Sequence, residues 1–170
     1  KYPSYKKVGA RVIAKDAGNW FSTFVIDKGK NDGIKVDMNV IAGGGLVGIV
    51  THVGKSSATV RAIIDDKNNV SAMLLSTSDN CMIEGNLKTL TEKQAIEFSI
   101  LKDEKNMAAV GDQVVTSQIS DKYLQGILIG YISSITKDTN NLTKRGTITP
   151  VVDFEHLEEV LVILQKKEIE

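Results

Sequence analysis

The chain carries one cysteine, two prolines and only 5% aromatic residues, and its charges cancel. Each shortage excludes something. A single thiol, Cys81, forms neither an internal disulfide nor a cysteine metal cluster. With 21 Lys plus Arg against 21 Asp plus Glu, no net field draws the chain to nucleic acid or to an anionic membrane surface. The aromatic cluster Trp20, Phe21 and Phe24 runs into the apolar Val25 and Ile26 rather than alternating with basic residues. It therefore reads as packing, not as a platform for bases or sugars. No apolar run approaches the ~20 residues that cross a bilayer, and the opening stretch 1–8 is too polar for a signal peptide. The chain starts without a Met, so the absence of a targeting segment here says little about the whole protein.

What is present suits a packed, strand-rich protein. At 170 residues, with 42% hydrophobic and 25% charged content, the chain is long enough for one ordinary domain or two small ones. Fourteen glycines punctuate short β-branched runs. Strands are expected at 10–14, 23–26, 39–42, 46–53, 58–64, 70–75, 82–87, 95–101, 113–116, 128–136, 146–150 and 159–164. Several alternate in the manner of half-buried strands, as Val47, Ile49 and Thr51 do against Gly48, Val50 and His52. Helix is expected only as two short pieces, at 117–124 and 153–157. Gly29, Asn31, Asp32 and Gly33 mark a loop spanning 27–37, because Gly and Asn accept positive φ. Asn68 and Asn69 read as a hairpin tip joining 58–64 to 70–75, with Asn140 and Asn141 playing the same part later.

A weak internal repeat organises these pieces. Val40 and Ile41 end one strand, and Gly45, Leu46, Val47 and Gly48 open the next. Val114 and Val115 likewise end a strand, and Gly126, Ile127, Leu128, Ile129 and Gly130 open its successor. In each copy the second glycine falls inside the new strand, where it marks a bulge or the sharp bend of a barrel wall.

Three patterns hint at chemistry, and each has a plainer reading. Gly43, Gly45 and Gly48 match GxGxxG spacing with Asp65 beyond, but a dinucleotide site needs that turn to open a helix, and a strand follows here. His52, Asp65 or Asp66, and Ser117 follow the chain order of the double-barrel serine proteases, yet Ser117 has no neighbouring glycine to shape an oxyanion hole. His156 beside Glu155, Glu158 and Glu159, and Asp65 and Asp66 near Asn68, lack the convergent spacing of metal sites. No catalytic residue, cofactor or metal is therefore expected. An extracytoplasmic serine-type hydrolase on the same barrels is the alternative, and a glycan-binding β-domain is a third reading.

Taken in order, Ala10-Arg11-Val12-Ile13, Trp20-Phe21, Ile26-Asp27-Lys28-Gly29, Asp32-Gly33-Ile34 and Gly45-Leu46-Val47-Gly48 resemble the signature of the MreC family of bacterial rod-shape proteins. Gly111, Asp112, Val114 to Ser117, Gly126, Ile127 and Gly130 extend the resemblance through the second half. Two positions depart from it: Gln118 replaces the glycine of a Thr-Ser-Gly run, and Leu124 replaces a proline after Tyr123.

The resemblance implies an all-β fold of two small six-stranded barrels, like the serine-protease double barrel without its triad. Residues 1–9 would end an upstream coiled coil, 10–76 would form the first barrel, 77–150 the second, and 151–166 would return to complete the first. It further implies a non-catalytic scaffold on the extracytoplasmic face, anchored by an upstream transmembrane helix, that organises wall elongation. The implied partners are a class B penicillin-binding protein, MreD, MreB and a second copy of the chain. Leu46, Ile127 and the loop around Tyr123 and Leu124 are expected near contact surfaces, with Tyr123→Asp weakening capture but sparing the fold.

Overall fold

A computed structural model describes residues 4–15, 22–66 and 68–168. Their strands are β1 (Lys7–Lys15), β2 (Thr23–Ile26), β3 (Asn39–Ala42), β4 (Gly45–Val53), β5 (Ala58–Ala62), β6 (Asn69–Leu74), β7 (Asn80–Glu84), β8 (Ile96–Leu101), β9 (Gln113–Thr116), β10 (Leu128–Lys137), β11 (Lys144–Pro150) and β12 (Glu159–Ile163). One short helix, α1 (Leu87–Lys93), lies between β7 and β8. All neighbouring strands are antiparallel, and they close into two six-stranded barrels. No helix among the described residues is long and apolar enough to cross a membrane.

The two barrels have one topology. Read from β12, the first runs β12-β1-β2-β5-β4-β3; read from β6, the second runs β6-β7-β8-β11-β10-β9. The repeat seen in the sequence falls on equivalent strands, β3–β4 and β9–β10. Even the irregularities correspond. β4 slips register against β3 between Leu46 and Gly48, and against β5 between Val50 and His52. β10 slips against β9 between Leu128 and Gly130, and against β11 between Ile132 and Ser134. A Cβ at Gly48 would overlap the Arg61 carbonyl, and one at Gly130 the Thr149 carbonyl. These glycines let a neighbouring backbone approach closely enough for the wall to turn.

Alternating strands place Phe24, Ile26, Val40, Val50 and Val60 inside the first barrel, and Val70, Ile83, Ile96, Phe98 and Ile148 inside the second. The loop 27–37 forms around a short 3-10 turn, Lys30–Asp32, which ends at Gly33 with φ 86°. Between β8 and β11, Asp103 is nearly inaccessible. Its carboxylate takes Lys144 Nζ at 2.6 Å and the amides of Met107 and Ala108 at 2.9 and 3.1 Å, pinning the loop 102–112. Burial would raise the Asp103 pKa, but Lys144 and the two amides outweigh it and hold the carboxyl below its usual value.

Several expectations change. Residues 117–124 and 153–157 form turns rather than helix, because Ser117, Ser120 and Asp153 spend their side chains on amides two or three residues ahead. The helix that does form, α1, starts at Asn86, whose side chain accepts from the Thr89 amide. β7 therefore ends at Glu84 rather than at residue 87. Asn68 and Asn69 do not tip a hairpin: β5 lies in the first barrel and β6 in the second, so this segment crosses between them. Because β6 pairs with β7 and β9, the first barrel's share of the chain ends before Asn69, not at residue 76. Of residues 1–9, Lys7–Gly9 belong to β1 and pair with Leu161–Ile163 of β12. Trp20 and Phe21 lie outside the described residues, while Phe24 is core.

Gly48→Ala and Gly130→Ala should each destabilise the chain by about 1–3 kcal/mol in urea unfolding. Gly9→Ala, exposed in β1 with only a Leu161 methyl at 3.9 Å, should stay within about 0.5 kcal/mol. Because the folded-state pKa of Asp103 is depressed, its stabilisation is complete above the unfolded carboxylate value and disappears as pH falls through the folded one. Asp103→Asn should therefore flatten the loss of stability on acidification below about pH 4, measured by thermal unfolding across pH.

Candidate interaction surface

The barrels meet where β3 and β4 face the connection from β9 to β10. In the first barrel that connection is only the turn Gly43-Gly44, with φ 57° and 80°. In the second it is the long loop 117–127, which reaches across to the first barrel. Its own shape is set locally: Thr116 Oγ1 donates to the Leu124 carbonyl and accepts from the Ile127 amide, and Ser120 Oγ accepts from the Tyr123 amide at 3.0 Å.

All four residues expected near contact surfaces lie in this seam or the core below it. Leu46 and Ile127 are fully buried, and Tyr123 and Leu124 nearly so. Tyr123 donates its hydroxyl to Asn68 Oδ1 at 3.3 Å, and burial pushes the phenol up to about 12. Buried within the chain, the four side chains present little surface of their own. Glycine turns mark close approach of backbones, and in a closed pair of barrels what approaches is the chain itself.

The residue sequence reasoning missed is Asn39. Fully buried on β3, it donates from Nδ2 to the carbonyls of Lys122 at 3.0 Å and Asp37 at 3.4 Å, and its Oδ1 accepts from the Leu124 amide at 2.8 Å. Nothing in the sequence set this asparagine apart from those in turns.

Exposed or half-exposed apolar side chains do occur on the outside of the second barrel, on and beside β6, β7 and β8. The positions pointing outward are Asn69, Ser71 and Met73 on β6, Asn80, Met82 and Glu84 on β7, and Glu97 and Ser99 on β8, so the two methionines stand among polar neighbours, with Met82 paired to both Ser71 and Ser99. Met73 and Met82 are half-buried, and Leu75 follows β6 at 46% exposure. Ile100, 54% exposed, sits at φ 57°, a left-handed conformation costly for a β-branched residue, where β8 bulges against β11. Ile119 is exposed in the turn that Ser117 ties to Asn80 of β7. Three of the chain's four methionines, Met73, Met82 and Met107, are at least partly exposed on this barrel. Flexible thioethers suit a surface that adapts to a partner.

The chemical alternatives find no geometry. Ser117 is fully buried and donates to Asn80 Oδ1 at 2.9 Å instead of to a histidine. His52 is exposed on β4 of the other barrel, Asp65 accepts from Thr23, and Asp66 accepts from the Leu87 amide. His156 bonds Asp153 at 3.0 Å on an exposed turn, and no three His, Cys, Asp or Glu side chains converge on a metal-sized site among the described residues. Gly43, Gly45 and Gly48 belong to a hairpin and its bulge, so no helix N-terminus awaits a phosphate.

A family profile described as "Rod shape-determining protein MreC, barrel core" matches residues 12–164. The chain belongs to the MreC family. It is 34% identical over 166 residues to the cell shape-determining protein MreC of Listeria monocytogenes, covering 96% of this chain and 55% of that protein. It thus spans between 42% and 60% of the length of the curated MreC proteins it matches. A solved structure of Listeria monocytogenes MreC superposes with a TM-score of 0.84 at 34% identity, over 98% of this chain and 78% of that one. A more distant structure, titled a complex between penicillin-binding protein PBP2 and MreC from Helicobacter pylori, shares the fold at a TM-score of 0.64 and 15% identity, over 93% of this chain and 99% of that one. The curated relatives carry the name cell shape-determining protein.

Tyr123→Asp should not spare the fold, contrary to the expectation from sequence. It would bury a carboxylate where a ring now packs, and a loss of about 3–5 kcal/mol in chemical unfolding is expected.

Proposed function

We propose that this chain is the extracytoplasmic barrel region of a membrane-anchored MreC scaffold, and that it captures a class B penicillin-binding protein on the outer wall of the second barrel. The observation that carries this reading is the set of apolar side chains left exposed or half-exposed on the second barrel, Met73, Leu75, Met82, Ile100 and Ile119, where the inner face is already filled. A closed barrel has no free strand edge to add a partner's strand to, so affinity must come from side chains on its outside. The Helicobacter pylori complex gives a precedent for the partner class within the family. In this reading the chain supplies shape and no reactive group. Self-association, MreD and MreB complete the assembly, with MreB reached across the membrane through parts of the protein upstream of these barrels.

The test is a binding titration between the purified barrels and the extracytoplasmic part of the cognate class B penicillin-binding protein. Met82→Glu, at the centre of the face, should weaken binding at least tenfold, about 1.4 kcal/mol, while leaving the unfolding transition in place. Undiminished affinity would remove this wall from consideration.

A further inference from the structure

The two barrels share a topology, yet the contacts between them are lopsided. Asn39 opens β3, and Gln113 opens the equivalent strand β9 in the equivalent register, Asn39 opposite Ile49 and Gln113 opposite Tyr131. Gln113 is exposed, whereas Asn39 is fully buried and fully used. The difference arises because only the second barrel carries a long β9–β10 loop. Residues 117–127 cross the seam and present the Lys122 carbonyl and Leu124 amide to one carboxamide of the first barrel.

We propose that this loop is a latch and that Asn39 is the positioning residue that fixes the angle between the barrels. The carboxamide is engaged on both sides. Its nitrogen holds a carbonyl from each barrel, Asp37 and Lys122, and its oxygen holds the Leu124 amide. Rotation of one barrel against the other would break these bonds together and leave the buried Asn39 carboxamide and the amide of the buried Leu124 without their partners. A second carboxamide at the seam, Asn68, holds far less. It accepts a single bond from Tyr123 at 3.3 Å, and its Nδ2 is buried without a partner. Gly45 adds a steric stop, since a Cβ there would overlap the Val151 side chain. Opening the seam in one direction breaks the Asn39 bonds, and closing it further drives β4 into residues 151–152.

Spin labels on Lys55→Cys, in the first barrel, and Lys137→Cys, in the second, report the angle as a distance distribution in a Cys81→Ala background. The unsubstituted seam should give one narrow peak. Asn39→Ala should broaden it at least twofold while far-ultraviolet circular dichroism retains the strand signal, and Asn68→Ala should leave it narrow. A peak as narrow in Asn39→Ala as in its parent, or equal broadening by Asn68→Ala, overturns the assignment. Hydrogen exchange on the unsubstituted protein gives an answer even if Asn39→Ala fails to fold. The Leu124 amide should exchange as slowly as barrel-strand amides, and exchange at exposed-loop rates overturns the latch.

Discussion

Every strand in these barrels is hydrogen-bonded on both sides, and that closure depends on two bends, one in β4 at Gly48 and one in β10 at Gly130. A short antiparallel sheet closes on itself only if some strands coil sharply, and a side chain at either bend would occupy the place of a neighbouring carbonyl. From closure follow the filled interiors and the absence of free strand edges on the two sheets. The matched register slips around both glycines fit a duplicated unit, in which the bend was inherited along with the strand order.

Much of this fold was legible because period-2 burial and glycine punctuation are local signals. Thr23–Ile26 alternates in burial, Asn39–Ala42 and Gln113–Thr116 are instead marked by the glycines beside them, and all three form where their residues indicate. What the sequence concealed was pairing between distant segments. Asn68 and Asn69 look the same whether a hairpin or a crossing between barrels follows, and only the partners of Val70 to Leu74 decide it. Helix α1 escaped notice because its apolar residues also suit a strand, and its start depends on a single asparagine cap.

The surface was harder to read than the fold, for a physical reason. Leu46, Tyr123, Leu124 and Ile127 stand beside glycine turns, which in an open sheet would be exposed; here two barrels press those turns together. The outer wall carried a fainter mark, apolar Met73 and Met82 at positions of alternating strands where polar residues are usual. Asn39 carried none, since its importance lies wholly in a loop from the far half of the chain. Recognition by shape spreads over ordinary side chains, whereas catalysis concentrates in a few unusual ones, and that contrast explains why family likeness spoke sooner than any motif.

The last strand has an implication for how the molecule is made. β12 sits between β1 and β3, so the first barrel is sealed by residues near the end of the chain, after the whole second barrel. A polypeptide emerging from its N-terminus can complete the later barrel while the earlier one still gapes along two strands. Until Glu159–Ile163 arrives, β1 and β3 each keep an unpaired edge where a foreign strand could enter, which makes the interval before arrival the time when a chaperone or a neighbouring copy matters most.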